Sequence, residues 1–183
     1  MNKTEARDLI SKGFKSLTVS SKSYQEKVHL DFIKNHIEEK SFSHVASYMS
    51  LPYEVSTEKI NEFLSDFKTH FYLPKINSIS NTLEFVRCNK KTKFKKNSFN
   101  ILEPISEETI KLEKLNAVIV PLRAFNENFQ RLGFGGGFYD KTFSGISQPQ
   151  LIGLAYEFQY LKKLKLEDYD LKLDTVFTNK QLL

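Results

Sequence analysis

Apolar residues recur at helical spacing over residues 3–18, where Ala6, Ile10, Phe14 and Leu17 share one side and Lys3 and Arg7 stand four apart on another. A second helix is predicted from Ser23 to about Glu39, with Ser23 and Glu26 spaced as a capping box and Val28, Phe32, Ile33 and Ile37 inward. The period then shortens. Residues 44–49 (HVASYM) are apolar and bounded by polar residues, the pattern of a buried strand. A third helix over 56–66 places Ile60, Phe63, Leu64 and Phe67 on one face, followed by a strand at 70–73 that Pro74 is expected to stop. Further strands are predicted at 83–86, 117–120, 151–155 and 173–177, of which AVIV at 117–120, closed by Pro121, is the strongest. The lysine-rich stretch from Arg87 to Asn97 reads as an exposed loop or hairpin. Short apolar strands alternating with amphipathic helices predict an α/β layer fold with a largely parallel sheet.

Composition narrows the class. A chain of 183 residues that is 40% hydrophobic and 27% charged can bury a substantial core, and 1–183 is expected to be one domain. The net charge is only +5, and four of the 27 basic residues are arginine, short of the patterning of a dedicated nucleic-acid binder. Cys88 is the only cysteine, which excludes an internal disulfide framework and a thiolate metal cluster. No run approaches the length of a membrane span, and the charged N-terminus does not read as a signal peptide, so the expected location is the cytoplasm. The histidines at 29, 36, 44 and 70 show no metal-ligand spacing; His29 and His36 are compatible with a polar helix stripe.

Candidate chemistry concentrates in one segment. Four of the seven glycines, Gly133, Gly135, Gly136 and Gly137, lie within Arg131-Leu132-Gly133-Phe134-Gly135-Gly136-Gly137-Phe138-Tyr139-Asp140. Glycines let backbone N–H groups approach an anion closely, Arg131 offers a fork of donors matched to phosphate, and Asp140 is suited to a magnesium ion. The same run also reads as a flexible turn-rich loop, and it matches neither the P-loop nor the dinucleotide fingerprint.

Val120-Pro121, Ala124-Phe125 and the run from Arg131 to Asp140 together resemble the signature of the 5-formyltetrahydrofolate cyclo-ligase family, approximately V-P-G-x-A-F-D, a spacer, then R-L-G-x-G-x-G-Y-Y-D. Flanking pieces follow in order: Lys3 and Arg7 for K-x-x-x-R, Tyr48 with Glu54-Val55-Ser56-Thr57, Leu73-Pro74-Lys75, Leu102-Glu103-Pro104, and Asp170 to Asp174 for the closing D-x-x-[LV]-D. The resemblance implies a three-layer α/β sandwich with a mixed, mainly parallel central sheet flanked by helices, of the CoA-transferase-like kind. It also implies ATP- and Mg²⁺-dependent conversion of 5-formyltetrahydrofolate to 5,10-methenyltetrahydrofolate. The γ-phosphoryl group would activate the formyl oxygen and the N10 amine would close the ring, with ADP and phosphate released.

By the same resemblance, Arg131, Tyr139 and Asp140 are the catalytic candidates. Lys3, Arg7, Arg131, Leu132, Gly133, Phe134, Gly135, Gly136, Gly137, Phe138 and Tyr139 are the ATP candidates. Met49, Glu54, Lys75, Phe99 and the Phe134–Phe138 stretch are the folate candidates, with Asp140 and Asp170 for magnesium. Each has a plainer reading: Lys3 and Arg7 as a solvated pair, Met49 and Phe99 as core, Glu54 and Lys75 as loop charges, Tyr139 as a ring packed under the loop, Asp170 as a turn residue. Departures from the family pattern are Asn116 and Asn126 for acids, Leu122 for glycine, a spacer 127–130 without glycine, Tyr169 for histidine and Asn179 for an acid. The expected partners are ATP and 5-formyltetrahydrofolate, with or without a polyglutamate tail that the lysines of 87–96 would attract. Neither membrane nor nucleic acid is expected as a partner, and a monomer is. The alternatives are a non-catalytic folate or nucleotide binder of this fold and, further off, a basic nucleic-acid-binding module built on residues 87–96.

Overall fold

A computed structural model describes residues 1–147 and 149–178; Asn179 lies outside them. The chain opens with α1 (Lys3–Ser16), whose N-cap Asn2 accepts from Thr4 and Glu5 N–H while Glu5 closes a capping box. α2 (Val19–Lys40) begins one turn earlier than predicted, because Thr18 Oγ1 accepts the Ser21 N–H and the exposed polar residues that follow tolerate a helical surface. Its buried stripe is Gln25, His29, Ile33 and Ile37, an i, i+4 row that puts His29 inside in place of the expected Val28. β1 (His44–Ala46), α3 (Glu58–Asp66) and β2 (His70–Asn77) follow.

β2 runs straight through Pro74, against the expected stop. Pro74 pairs with Phe85 of β3 (Thr82–Cys88), and the N–H two residues on, at Ile76, is turned away from β3 toward the Glu103 carboxylate. The missing N–H of Pro74 therefore falls on the side that β1 no longer reaches, where no ladder bond is lost. β4 (Phe94–Lys96) and β5 (Leu102–Pro104) form the hairpin predicted for the lysine-rich stretch. β6 (Thr109–Ile110), β7 (Ala117–Val120), a small hairpin of β8 (Ala124–Phe125) and β9 (Arg131–Leu132), α4 (Phe138–Thr142), β10 (Gln150–Leu154) and β11 (Thr175–Phe177) complete the order.

The central sheet has the order β11-β10-β7-β1-β2-β3-β6. β11, β10, β7, β1 and β2 are parallel, and β3 is antiparallel to both of its neighbours. Alternation along the strands divides two cores. Val45, Phe71, Leu73, Ile119 and Ile152 pack with Ile10, Phe14, Ile33 and Ile60 beneath α1–α3. Ala46, Tyr72, Val118, Val120 and Val176 pack on the other face with Leu115, Leu122, Phe125 and Phe143. The second outer layer is thin, since α4 is its one α-helix among the described residues. No helix among those residues is long and apolar enough to cross a membrane.

The departures have local accounts. Asn116 Oδ1 accepts from the N–H groups of Ser43 and His44, so a neutral amide oxygen ties β7 to the start of β1. Asn126 Oδ1 accepts from Asn128 and Gln130 N–H, while Phe129 takes the positive φ of 61° that a glycine would otherwise supply. Leu122 is buried above Gly153 of β10, where an added Cβ would lie 2.7 Å from both Leu122 Cδ2 and Leu173 Cδ1. Gly153→Ala is therefore expected to destabilise the fold by about 1–3 kcal/mol through overpacking, read as a lower urea midpoint at unchanged slope.

Candidate active site

The chain passes from β1 to β2 on one side of the sheet and later returns to β7, β10 and β11 on the other. This arrangement opens a crevice at the carboxyl ends of β1 and β7, where ligands gather in open α/β sheets. A cavity of about 960 Å³ lies there, with Met49 beyond β1, Pro121 beyond β7 and Pro74 and Ile76 of β2 among its walls. Sixteen of the seventeen predicted site residues line it: Lys3, Arg7, Met49, Glu54, Phe99, the ten positions 131–140 and Asp170, leaving only Lys75 outside.

 The reason is strand alternation: Pro74 and Ile76 face the cavity, so Lys75 between them points to the opposite face, where its Nζ meets Glu107 Oε1 at 3.3 Å. The folate role expected of Lys75 is not supported by this placement.

The glycine loop joins β9 to α4. Gly133 is required for close approach, because a Cβ there would lie 2.5 Å from Arg131 Nη1. Gly135 has φ +110°, a conformation that side chains rarely adopt, and Arg7 lies against it while its Nε donates to Gly133 O at 3.1 Å. Arg131 is 3% exposed; its Nη2 donates to Asp140 Oδ1 at 3.3 Å and its Cζ sits 5.3 Å from the centre of the Tyr139 ring. Burial lowers the Arg131 pKa, which Asp140 opposes, and burial raises that of Tyr139. Tyr139 thus serves both readings, packed under the loop against Phe143 and lining the cavity.

The two expected metal carboxylates are tied to the same centre. Asp140 Oδ1 also accepts the Leu171 N–H at 3.0 Å, and Asp170 accepts from Glu167 N–H and pairs with Lys3 Nζ at 2.7 Å. Among the described residues no three acidic, histidine or cysteine side chains converge to form an all-protein metal cage. Two hard carboxylates beside a phosphate-sized loop nevertheless fit magnesium, which takes one or two carboxylates and completes its shell with phosphate and water.

Glu54, in the same cavity wall, is 9% exposed and its Oε2 accepts the Leu51 N–H at 2.7 Å. Burial pushes its pKa up to about 7, against the pull of that hydrogen bond and of Arg123 and Arg131. Phe99 is a rim residue, 60% exposed, held edge-on to Phe138 at 5.7 Å. Its turn is fixed by Asn97, whose Oδ1 accepts from Phe99 and Ile101 N–H and whose Nδ2 donates to the buried Glu103. Met49 packs partly against the core and partly into the cavity.

Arg123, Asn97 and Glu103 escaped the sequence reading as members of this assembly. Arg123 fills the variable position of the signature, and Glu103 carried only a motif match; the signal that would have raised these two is burial, and for half-buried Asn97 its turn-fixing hydrogen bonds, all visible only in the fold. The histidines remain outside the cavity. His29 is fully buried, bonds Ala155 O through Nε2 at 3.2 Å, and is pushed down to a pKa of about 4 by burial, so it is a core residue and not part of a polar stripe.

Taken together, the open mainly parallel sheet and the anion-suited loop at its switch point define an α/β protein with a ligand-sized cavity whose wall carries that loop and two carboxylates. The 5-formyltetrahydrofolate cyclo-ligase family model matches residues 2–179, and the chain belongs to that family. It is 34% identical over 144 residues to the 5-formyltetrahydrofolate cyclo-ligase of Haemophilus influenzae, covering 76% of this chain and 77% of that one. The Escherichia coli K12 protein of the same name is 34% identical over 139 residues, covering 73% and 76%. The NMR structure of Aquifex aeolicus 5,10-methenyltetrahydrofolate synthetase superposes with a TM-score of 0.85 at 25% identity, covering 98% of this chain and 91% of that one.

Glu54 makes stability depend on pH. Between 4.5 and about 7 the folded protein holds a proton that the unfolded chain has released, so stability falls as pH rises through that window. Glu54→Gln removes the dependence, and urea unfolding from pH 4 to 8 is expected to show the variant gaining about 3 kcal/mol on the wild type across the range.

Proposed function

We propose that this chain, acting as one domain, converts 5-formyltetrahydrofolate and ATP to 5,10-methenyltetrahydrofolate, ADP and phosphate with the help of Mg²⁺. The observation that carries the reading is one cavity of about 960 Å³ whose wall brings Lys3, Arg7, Arg131 and the glycine loop together with Asp140 and Asp170 and with Met49, Glu54 and Phe99. That volume lies at the upper end of ligand pockets, roughly 300–1,000 Å³, as needed for two substrates held together.

A formamide oxygen is a poor leaving group. Its attack on the γ-phosphorus releases ADP and leaves the oxygen as a phosphate ester of an iminium carbon; N10 then adds to that carbon, loses its proton, and inorganic phosphate departs. Such phosphoryl transfer rests on positioning and charge neutralisation. Arg7, Lys3 and Arg131 supply positive charge, and the loop from Gly133 to Gly137 lets the backbone approach the polyphosphate. Asp140 and Asp170 would hold Mg²⁺, which when bound neutralises charge on the phosphate oxygens. Glu54, whose proton is held to about pH 7, would bond the amine side of the folate, with Phe99 and Phe138, in edge contact with each other, flanking it. No protein nucleophile is required.

Absorbance in the methenyl band, followed with purified protein, 5-formyltetrahydrofolate, Mg²⁺ and ATP, tests the reading. The signal is expected to grow only when ATP is present and to slow about 100-fold or more in Asp140→Asn. A folded protein that binds folate and ATP without forming product favours the non-catalytic binder instead.

A further inference from the structure

Arg123 occupies a position that the family signature leaves open, yet its side chain is built into the cavity's support. The residue is 5% exposed. Its backbone is fixed on both sides, with the N–H donating to Leu132 O at 2.7 Å and the carbonyl accepting from Gln159 Nε2 at 3.0 Å. The guanidinium then reaches three separate segments. Nη2 donates to Arg7 O at 2.9 Å and to Ser11 Oγ at 2.6 Å, both on α1. The Cζ lies 4.9 Å from the ring centre of Phe134 in the glycine loop and 5.1 Å from that of Tyr53, whose φ is +68°. Ser11 Oγ in turn donates to Arg7 O, and Arg7 Nε to Gly133 O, so α1 and the glycine loop are linked through a short polar chain.

We propose that Arg123 is a positioning residue for the nucleotide end of the site, holding Phe134 and Arg7 in one arrangement through its stacked guanidinium. The inference rests on the function proposed above. Phe134 is 46% exposed, so little besides the cation beneath its ring fixes where it stands on the cavity wall. A cation held between two rings in a buried site is worth more than one at the surface, because water competes less for it. Removing it frees the ring and leaves Arg7 anchored by one fewer contact, which weakens nucleotide binding more than the chemistry that follows.

The test is a double-mutant cycle with Arg123→Met, Phe134→Leu and the double variant, plus Arg123→Lys. Arg123→Met is expected to raise the KM for ATP about tenfold with kcat changed less than threefold, and Arg123→Lys to recover at least half of the loss. Phe134→Leu alone should raise the same KM, and the double variant should be no worse than the worse single variant. Equal KM values in Arg123→Met and wild type, or effects of the two substitutions that simply multiply, overturn the proposal. If Arg123→Met does not fold, Arg123→Lys and Phe134→Leu still report: a lysine variant that matches the wild type in stability but loses none of the ATP dependence on Phe134 supports coupling through charge, and one in which Phe134→Leu has no effect overturns it. If the wild type makes no methenyl product but binds ATP, the catalytic reading fails while the cycle is read by calorimetry on ATP affinity, with the same tenfold expectation. A wild type that binds no ATP overturns both.

Discussion

A buried guanidinium needs partners, and Arg131, whose Nη1 and Nη2 find them among the described residues while its Nε does not, imposes that requirement on the rest of the site. Its charge is met by Asp140, its face by Tyr139, and its backbone N–H by Leu171 O, while Leu171 N–H returns to Asp140. Satisfying one cation thus fastens the glycine loop, the start of α4 and the segment before β11 to one another. Lys3 and Asp170 extend the same closure across 167 positions of sequence, bringing the first helix onto the last loop. The cavity exists only when both ends of the chain have arrived.

Much of this was legible because the candidate residues follow the family's order of types. Gly133, Gly135 and Arg131 announced an anion-suited loop, helical spacing put Lys3 and Arg7 on one face, and the resemblance assigned that face to the same ligand. What sequence could not supply was side-chain direction. Lys75 sits between two cavity residues, yet a strand turns successive side chains to opposite faces, and the expected stop at Pro74 hid that the strand continued. His29 departs from the expected polar stripe for a related reason, since a one-position rotation of the α2 stripe separates a solvated histidine from a buried one.

The departures from the family pattern show how a site's supports can change while its geometry holds. Asn116 and Asn126 use an amide oxygen to accept backbone N–H bonds, a task for which a negative charge is not needed. Leu122 brings volume where the pattern has none, and Gly153 on the adjacent strand leaves the space it occupies. Phe129 replaces glycine in a turn at the cost of a left-handed backbone, with its ring packed against the second core. Each exchange is local, and none reaches Arg131, Asp140 or the glycine loop.

The electrostatics of the cavity follow from how these charges are interleaved. Lys3 with Asp170 and Arg131 with Asp140 are mixed pairs, so the cations are held at close quarters without mutual repulsion. A polyphosphate entering such a site meets donors that are already oriented, and it competes for them with carboxylates instead of with bulk water. Glu54 stands within reach of Arg123 and Arg131, yet burial outweighs their pull, which is why its proton is held to about pH 7. The wall of one cavity therefore combines paired, oriented charges with a buried, weakly acidic carboxyl. In the reaction proposed above the first would serve the phosphates and the second an uncharged ring with hydrogen-bonding edges, and a phosphoryl transfer onto a neutral amide calls for both at once.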